Sequence, residues 1–243
     1  MDASYAGEYR DLYTRHWWWR ARERFIVEEL ERLRPEGGWT RILDVGCGDA
    51  LFFDELSRFG DVEGVEPDAS LVSPRGPHRS RIHVGPFDES FQPGHRYGLV
   101  LMLDVVEHLA DPHAALRHVH QLLEPNGVLF VTVPAFRLLW TRHDVLNRHY
   151  TRYTRRSFSR LARECGFEVQ ASRYFYHWLF PAKIATRVAE ALRPSAQPQP
   201  PRVPPSWLNR LLYVVSRTEQ RATRALSLPF GSSLMIVART SHR

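Results

Sequence analysis

The stretch "ILDVGCGDA", Ile42 to Ala50, puts a carboxylate, Asp44, at the end of a short apolar run, with Gly46 and Gly48 directly after it. Glycines at such a point let the backbone approach a ligand closely. The helix expected to follow offers free N–H groups at its start. Twenty-two positions on, Glu66 ends a second apolar run in "GVEPD". A carboxylate there can accept both hydroxyls of a ribose. Together these residues point to an adenosine-type ligand; the alternative is an ordinary strand–turn–helix with a tight turn. A dinucleotide fingerprint needs a third glycine for close approach to pyrophosphate. Here Leu51 stands in that place, and Asp49 beside it would repel a pyrophosphate. A sulfonium ligand carrying an ammonium group suits Asp44 and Asp49 better, so the charges favour S-adenosylmethionine over NAD.

Two further groups could carry chemistry. In "DVVEHL", Asp104, Glu107 and His108 stand at i, i+3 and i+4. On a helix they share one face and could jointly hold a divalent cation. The other reading has the acid capping the helix and the histidine packing under a cofactor. On either reading Asp104, at a strand's C-terminal end, faces the ligand crevice. Downstream, "WTRHDVLNRHYTRY" is too polar for a core element and supplies Trp140, His143, Asp144, His149, Tyr150 and Tyr153. A histidine beside a carboxylate is a natural general base. His143 with Asp144 is the first choice and His149 the second, with Trp140, Tyr150 and Tyr153 on the substrate side. The plainer reading is that these groups tie the loop down by hydrogen bonds.

The elements that must position these residues follow from the apolar patterning. A first stretch to about Arg34 reads as helix, with Trp19, Ile26, Leu30 and Leu33 at helical spacing. Strands are expected at "RILDVGC", "VEGVEP", "RIHVG", "YGLVLML" and "VLFVTVP", with helices at "LFFDELSRF" and "HAALRHVHQLL". Strands alternating with helices imply a parallel sheet covered on both faces. Two more strands, "FEVQASRY" and "SLMIVART", bracket an insertion whose "SAQPQPPRVPPS" reads as a linker or surface loop. The expected organisation is a helical lid at 1–35, an α/β core at 36–173, a helical insertion at 174–230 and a final core strand at 231–243.

The 243 residues suffice for one such domain with an elaboration. Cys47 and Cys165 are the only cysteines, so no disulfide framework or cysteine metal site is expected. The polar N-terminus is unlike a signal peptide, and a cytoplasmic setting is expected. The net charge of +6 is unevenly spread. Residues 36–135 carry 7 basic and 15 acidic side chains, and residues 136–243 carry 19 and 5. An anionic partner or substrate would explain that split; so would a base composition that writes arginine everywhere, since Lys183 is the only lysine.

In its motifs the chain resembles the class I S-adenosylmethionine-dependent methyltransferases, and in its core the ubiquinone-type O-methyltransferases. The matching residues are "LDVGCGDA", "GVEPD", "YGLVLMLDVVEHLADP" and "LLEPNGVLFVTVP". Two positions depart from the pattern: Ala50 replaces a usual glycine and Gly98 a usual aspartate. The resemblance implies a Rossmann-like, mostly parallel sheet of seven strands with the last antiparallel. It places Asp44, Gly46 and Gly48 at the methionine end of the cofactor, Glu66 on the ribose, and Phe87 and Asp88 around the adenine. In the quinone-biosynthesis members a run like "DVVEHL" binds metal, which makes Glu107 and His108 candidate ligands.

The implied activity is methyl transfer to oxygen on a small or lipid-linked metabolite, and the basic C-terminal part allows an anionic one. Two other readings compete with it: an RNA methyltransferase or nucleic-acid-binding module, and a non-catalytic cofactor-binding scaffold. No RNA-binding appendage supports the first of these. The two basic, aromatic stretches around the proline-rich segment suit peripheral contact with the inner face of a membrane, or the cover of an apolar substrate; alternatively they pack on each other. The resemblance also makes the N-terminal helix, with "RHWWWRARERF", a lid over the crevice. Trp19 would continue its buried stripe, and His16 and Arg20 would be available to an anionic group.

Overall fold

The computed structural model describes residues 3–192 and 201–240, so Ser195–Pro200 of the proline-rich segment and the last three residues lie outside it. Seven strands form one sheet: β1 (Trp39–Val45), β2 (Gly60–Glu66), β3 (Ile82–Val84), β4 (Tyr97–Leu103), β5 (Leu123–Pro134), β6 (Phe167–Phe175) and β7 (Ser233–Thr240). Their order is β3-β2-β1-β4-β5-β7-β6. The first five strands pair in parallel, and β7 runs antiparallel to both β5 and β6. The expected Rossmann-like sheet is thus present, with its last strand reversed.

Apolar residues at consecutive strand positions feed two cores, because side chains alternate between the faces. Leu43, Val45, Val100, Met102, Leu129, Val131 and Ile236 lie on one face with Leu116, Val119, Phe158 and Leu161. These last come from α4 (Pro112–Leu122) and α6 (Arg155–Glu164). Ile42, Leu99, Leu101, Phe130, Met235 and Val237 lie on the other, covered by Ala21, Phe25, Ile26, Leu30, Phe53 and Leu56.

The expected single N-terminal helix is two, α1 (Ala3–Arg15) and α2 (Trp17–Leu33). His16 breaks it with extended backbone (ψ 132°), and its ring accepts from the Trp18 N–H. An imidazole that accepts must be neutral there, and burial pushes its pKa down to about 4. His16 is therefore a helix cap, and its ring offers no positive charge to an anion. Arg20 is placed elsewhere too, over the Tyr213 ring at 4.8 Å. The buried stripe runs through Trp17, Ala21 and Phe25, not Trp19. The expected helix at "LFFDELSRF" shrinks to α3, Phe53–Leu56, because turns flank it on both sides.

Between β6 and β7 lie α7 (Leu179–Leu192) and α8 (Ser206–Ala222). α8 packs along α2: Arg217 pairs with Glu28, and the Trp17 N–H donates to Asn209 Oδ1 at 2.9 Å. Gly98 is explained by packing, since a Cβ there would stand 3.0 Å from the Trp39 ring.

Candidate active site

The C-terminal ends of β1, β2, β4 and β5 meet at one edge of the sheet, where α/β sheets bind ligands. Asp44 ends the apolar part of β1 and is buried. Burial and the neighbouring Glu66 charge raise its carboxyl pKa to about 7, against the pull of Arg22. Gly46 donates its N–H to the Val65 carbonyl at 2.8 Å, locking the loop to β2. Gly48 adopts φ +55°, and a Cβ there would meet nothing within 4 Å, so the loop borders open space. Glu66 accepts from the N–H groups of Gly48 and Asp68, both at 2.9 Å. Its pKa is nevertheless raised by burial. A buried carboxylate with spare acceptor capacity beside an open backbone cradle fits an adenosine ribose. Asp49, by contrast, turns away to pair with Arg10 of α1 and to accept the Ser73 N–H at 2.8 Å. Its charge is spent fastening α1, so the expectation that Asp49 favours a cationic ligand does not hold.

Ala50, the replaced glycine, sits at φ +56°. The chain imposes left-handed backbone on an alanine at the crevice rim, where glycine would be unstrained. Asp104 is also left-handed, at φ +58°. Its carboxylate meets the Arg22 guanidinium at 2.8 Å and the Thr132 hydroxyl at 3.2 Å. Arg22 reaches in from α2, donates to Thr132 Oγ1 at 2.9 Å, and leaves its buried Nε without a partner. Trp18 lies over the same guanidinium, 5.5 Å away. Sequence reasoning missed Arg22. The available signal was a basic residue on the apolar face of an amphipathic helix, one turn from Trp18.

Phe87 is half-buried and Asp88 exposed. They share a cavity of about 320 Å³ with Leu109, Arg117 and His118. Asp88 accepts from the Ser90 N–H and hydroxyl, at 2.9 and 2.6 Å, and these bonds lower its pKa. Its described contacts are those of a turn aspartate.

The run after β4 is not an α-helix. Val106–His108 is a single turn of 3-10 helix, so Asp104, Glu107 and His108 do not share a helical face. Asp104 goes to Arg22. Glu107 and His108 instead meet His149, with ligand atoms all within 4.8 Å of one another. Glu107 is buried, its Oε2 has no partner, and burial with the Asp104 charge raises its pKa well above the carboxylate range. The His108 and His149 rings stand perpendicular, 4.6 Å apart. An unpartnered buried carboxyl oxygen beside two imidazoles fits a divalent cation better than the expected triplet does.

The loop after β5 brings His149 to this place. Helix α5 (Arg142–Leu146) opens with a capping box between Thr141 and Asp144. Asp144 is fully buried and accepts from Arg152 Nε and Nη2 at 2.8 and 2.9 Å, His149 Nδ1 at 2.8 Å and the Thr141 N–H at 2.8 Å. Burial alone would raise its pKa, but these donors hold it well below the carboxylate range. The Tyr150 N–H donates to the Glu107 carbonyl at 2.7 Å, docking the loop on the 3-10 turn.

The histidine that Asp144 orients is therefore His149. His143 is exposed and shares a 2.8 Å hydrogen bond with Asn147. Tyr150 is exposed, Trp140 is half-buried, and Tyr153 lies in the core against Phe158. Tyr153 is thus a packing residue, its pKa raised by burial and by Glu107.

A methyltransferase-domain family model matches residues 18–172. The ubiquinone biosynthesis O-methyltransferase of Azorhizobium caulinodans is 34% identical over 162 residues, 62% of this chain and 60% of that protein. The match thus spans about three fifths of that relative's length. Among solved structures, the phosphoethanolamine N-methyltransferase 2 of Haemonchus contortus, in complex with S-adenosyl-L-methionine, shares the fold. Its TM-score is 0.56 at 17% identity, over 88% of this chain and 51% of that one. A chain of the Haloferax volcanii complex between the Trm112 methyltransferase activator and a methyltransferase gives a TM-score of 0.59 at 17% identity, over 99% of this chain and 96% of that one. The crevice at the strand ends, the ribose-type carboxylate on β2 and the family match agree: the chain belongs to the class I S-adenosylmethionine-dependent methyltransferases.

Proposed function

We propose that the chain transfers the methyl group of S-adenosylmethionine to an oxygen of a small or lipid-linked acceptor that carries negative charge. Asp44, Gly46, Gly48, Glu66 and Asp104 would hold the cofactor from the strand ends, and Arg22 would meet its carboxylate from α2. When bound, it supplies an activated methyl group at the crevice. The observation that carries the oxygen acceptor is the Asp144–His149 bond. With Nδ1–H committed to Asp144 at 2.8 Å, Nε2 keeps a lone pair, which can take a hydroxyl proton. Holding the hydroxyl in line supplies most of the remaining rate.

Glu107, His108 and His149 also suit a divalent cation; it would occupy the His149 Nε2 lone pair, so in that alternative the cation, and not His149, would favour the deprotonated oxygen. The negative charge on the acceptor is supported by Lys183 of α7. Burial and then Arg152 push its ammonium down to about 8, against the pull of Asp144 and Glu190, and an anion beside it would offset the cost of holding that charge out of water. The relative's name, an O-methyltransferase, agrees with an oxygen acceptor.

Titration calorimetry with S-adenosylmethionine tests the cofactor site: wild type should bind, and Glu66→Ala should lose most of the affinity. A screen of phenolic, sugar and lipid acceptors with methyl-labelled cofactor then tests the acceptor class. On the acceptor found, His149→Gln should lower turnover about 10²-fold or more with cofactor affinity intact, whereas His143→Gln should stay near wild type. No cofactor binding by wild type, or labelling only of amines, would overturn the reading.

A further inference from the structure

Helix α8 packs through a mixed side, with Leu212 and Tyr213 against the second core beside its polar contacts, and both α7 and α8 leave apolar side chains outside. On α8, Trp207, Leu211, Val214 and Val215 are 69%, 51%, 50% and 39% exposed. Their spacing puts them on one face, and it spans about 12 Å of helix. The residues of α8 that are buried are Ser216, Arg217 and Gln220. Polar contacts fix this rotation. Arg217 pairs with Glu28. Asn209 Nδ2 donates to the Arg15 carbonyl at 2.8 Å. Glu219 accepts the N–H groups of His177 and Trp178 at 2.9 and 2.6 Å.

Helix α7 repeats the pattern and has no buried residue. Arg187 donates to the Arg137 and Leu138 carbonyls at 3.2 and 2.8 Å, and Glu190 accepts from the Arg142 N–H at 3.0 Å. Val188 and Leu192 point outward. The two helices therefore do not bury their apolar faces against each other. The charges of residues 201–224 are nearly of one sign: Arg202, Arg210, Arg221 and Arg224 are exposed, with Arg210 and Arg221 flanking the apolar face by helical spacing, and Glu219, the one acid there, is engaged.

We propose that the outward face of α8 docks on an anionic lipid bilayer, with the helix lying in the interface. Among the described residues no helix is long and apolar enough to cross a membrane, so the contact is one of lying on the surface. Trp207 at the start of the face suits the headgroup region. A second copy is a poorer occupant: a two-fold contact through this face would bring its arginines close to their own equivalents, whereas anionic headgroups neutralise them. The inference stands whatever the acceptor proves to be.

The test is flotation of the full chain with vesicles of phosphatidylcholine alone or mixed with phosphatidylglycerol, with cofactor affinity measured in parallel. The chain should float with the anionic vesicles only, and less as salt rises. Leu211→Ser with Val214→Ser should weaken partitioning about tenfold, and Arg210→Glu with Arg221→Glu by at least about tenfold. Cofactor affinity should be unchanged in both. Quenching of tryptophan by brominated lipid should be lost in Trp207→Phe. Failure of wild type to float with anionic vesicles would overturn the proposal. So would flotation of both double variants at the wild-type level, or a solution dimer that Leu211→Ser with Val214→Ser dissociates while vesicle binding persists.

Discussion

Replacing Asp144 by asparagine keeps the shape of the side chain and removes its charge. In the folded protein Asp144 is fully buried and the Arg152 side chain is 2% exposed, held by two bonds of 2.8 and 2.9 Å. The substitution strands the Arg152 guanidinium in the interior. Breaking a buried pair from one side costs about 3–5 kcal/mol. At about 2–4 °C per kcal/mol for a chain of this size, Tm should fall by about 6–20 °C. The drop is smaller if the loop after β5 opens locally before the whole domain unfolds.

The sign with pH follows from the depressed carboxyl. The pair's contribution is present above the ordinary aspartate range and is lost as pH falls through the lower folded value. The gap between wild type and variant should therefore be wide at pH 6 and should close in strong acid. The assay is a thermal melt by circular dichroism across pH, with Arg152→Met and the double variant to complete a cycle. The double variant should lose clearly less than the sum of the singles. A Tm within about 2 °C of wild type, or an additive cycle, would refute the reasoning that Asp144 holds this loop through Arg152.

Two further outcomes follow from the crevice. Arg22→Met should weaken S-adenosylmethionine binding about 10–100-fold, the worth of one charge-assisted contact, while Arg20→Met, two residues away on the Tyr213 side, should leave it unchanged by calorimetry. Asp44, whose carboxyl is raised to about 7, contributes stability that is full below its unfolded pKa and lost as pH rises through about 7. Melts of Asp44→Asn should thus lose wild-type stability's decline between about pH 4 and 7, and the variant should be at least as stable as wild type at pH 8 but impaired in cofactor binding.

The cofactor end of the site was legible because it is local. A strand end, two glycines and a carboxylate on the next strand are separated by short, regular distances, and the sheet can place them in only one way. The loop after β5 was harder. His143 and His149 flank Asp144 at one and five residues, and their sequence neighbourhoods do not distinguish them. Arg152 decides, by fixing the Asp144 carboxylate where the Nδ1 of His149 reaches it. "DVVEHL" misled for a related reason: its helical spacing is real, but Asp104 has left-handed backbone with its carboxylate on Arg22 and Thr132, and only a 3-10 turn follows. The amphipathic character of α7 and α8 was readable, but not its direction, because that depends on Glu28, Arg15, Arg137 and Leu138 as partners. Ala50 was readable as a departure from glycine, but that its position needs left-handed backbone shows only in its φ of +56°.

Arg22 is carried by α2, a helix packed into the second core, so the crevice takes its counter-ion from a fixed element. Withdrawing it would leave Asp104, Asp44 and Glu66 facing one another without that cation. Since Arg22 lowers the Asp44 pKa from above, its departure must raise that carboxyl's affinity for protons further. Engaging Arg22 with another anion, the site otherwise as buried, is thereby linked to proton uptake at Asp44 near neutral pH. A cationic ligand entering the crevice does work that the proton would otherwise do, so ligand and proton compete for a single aspartate.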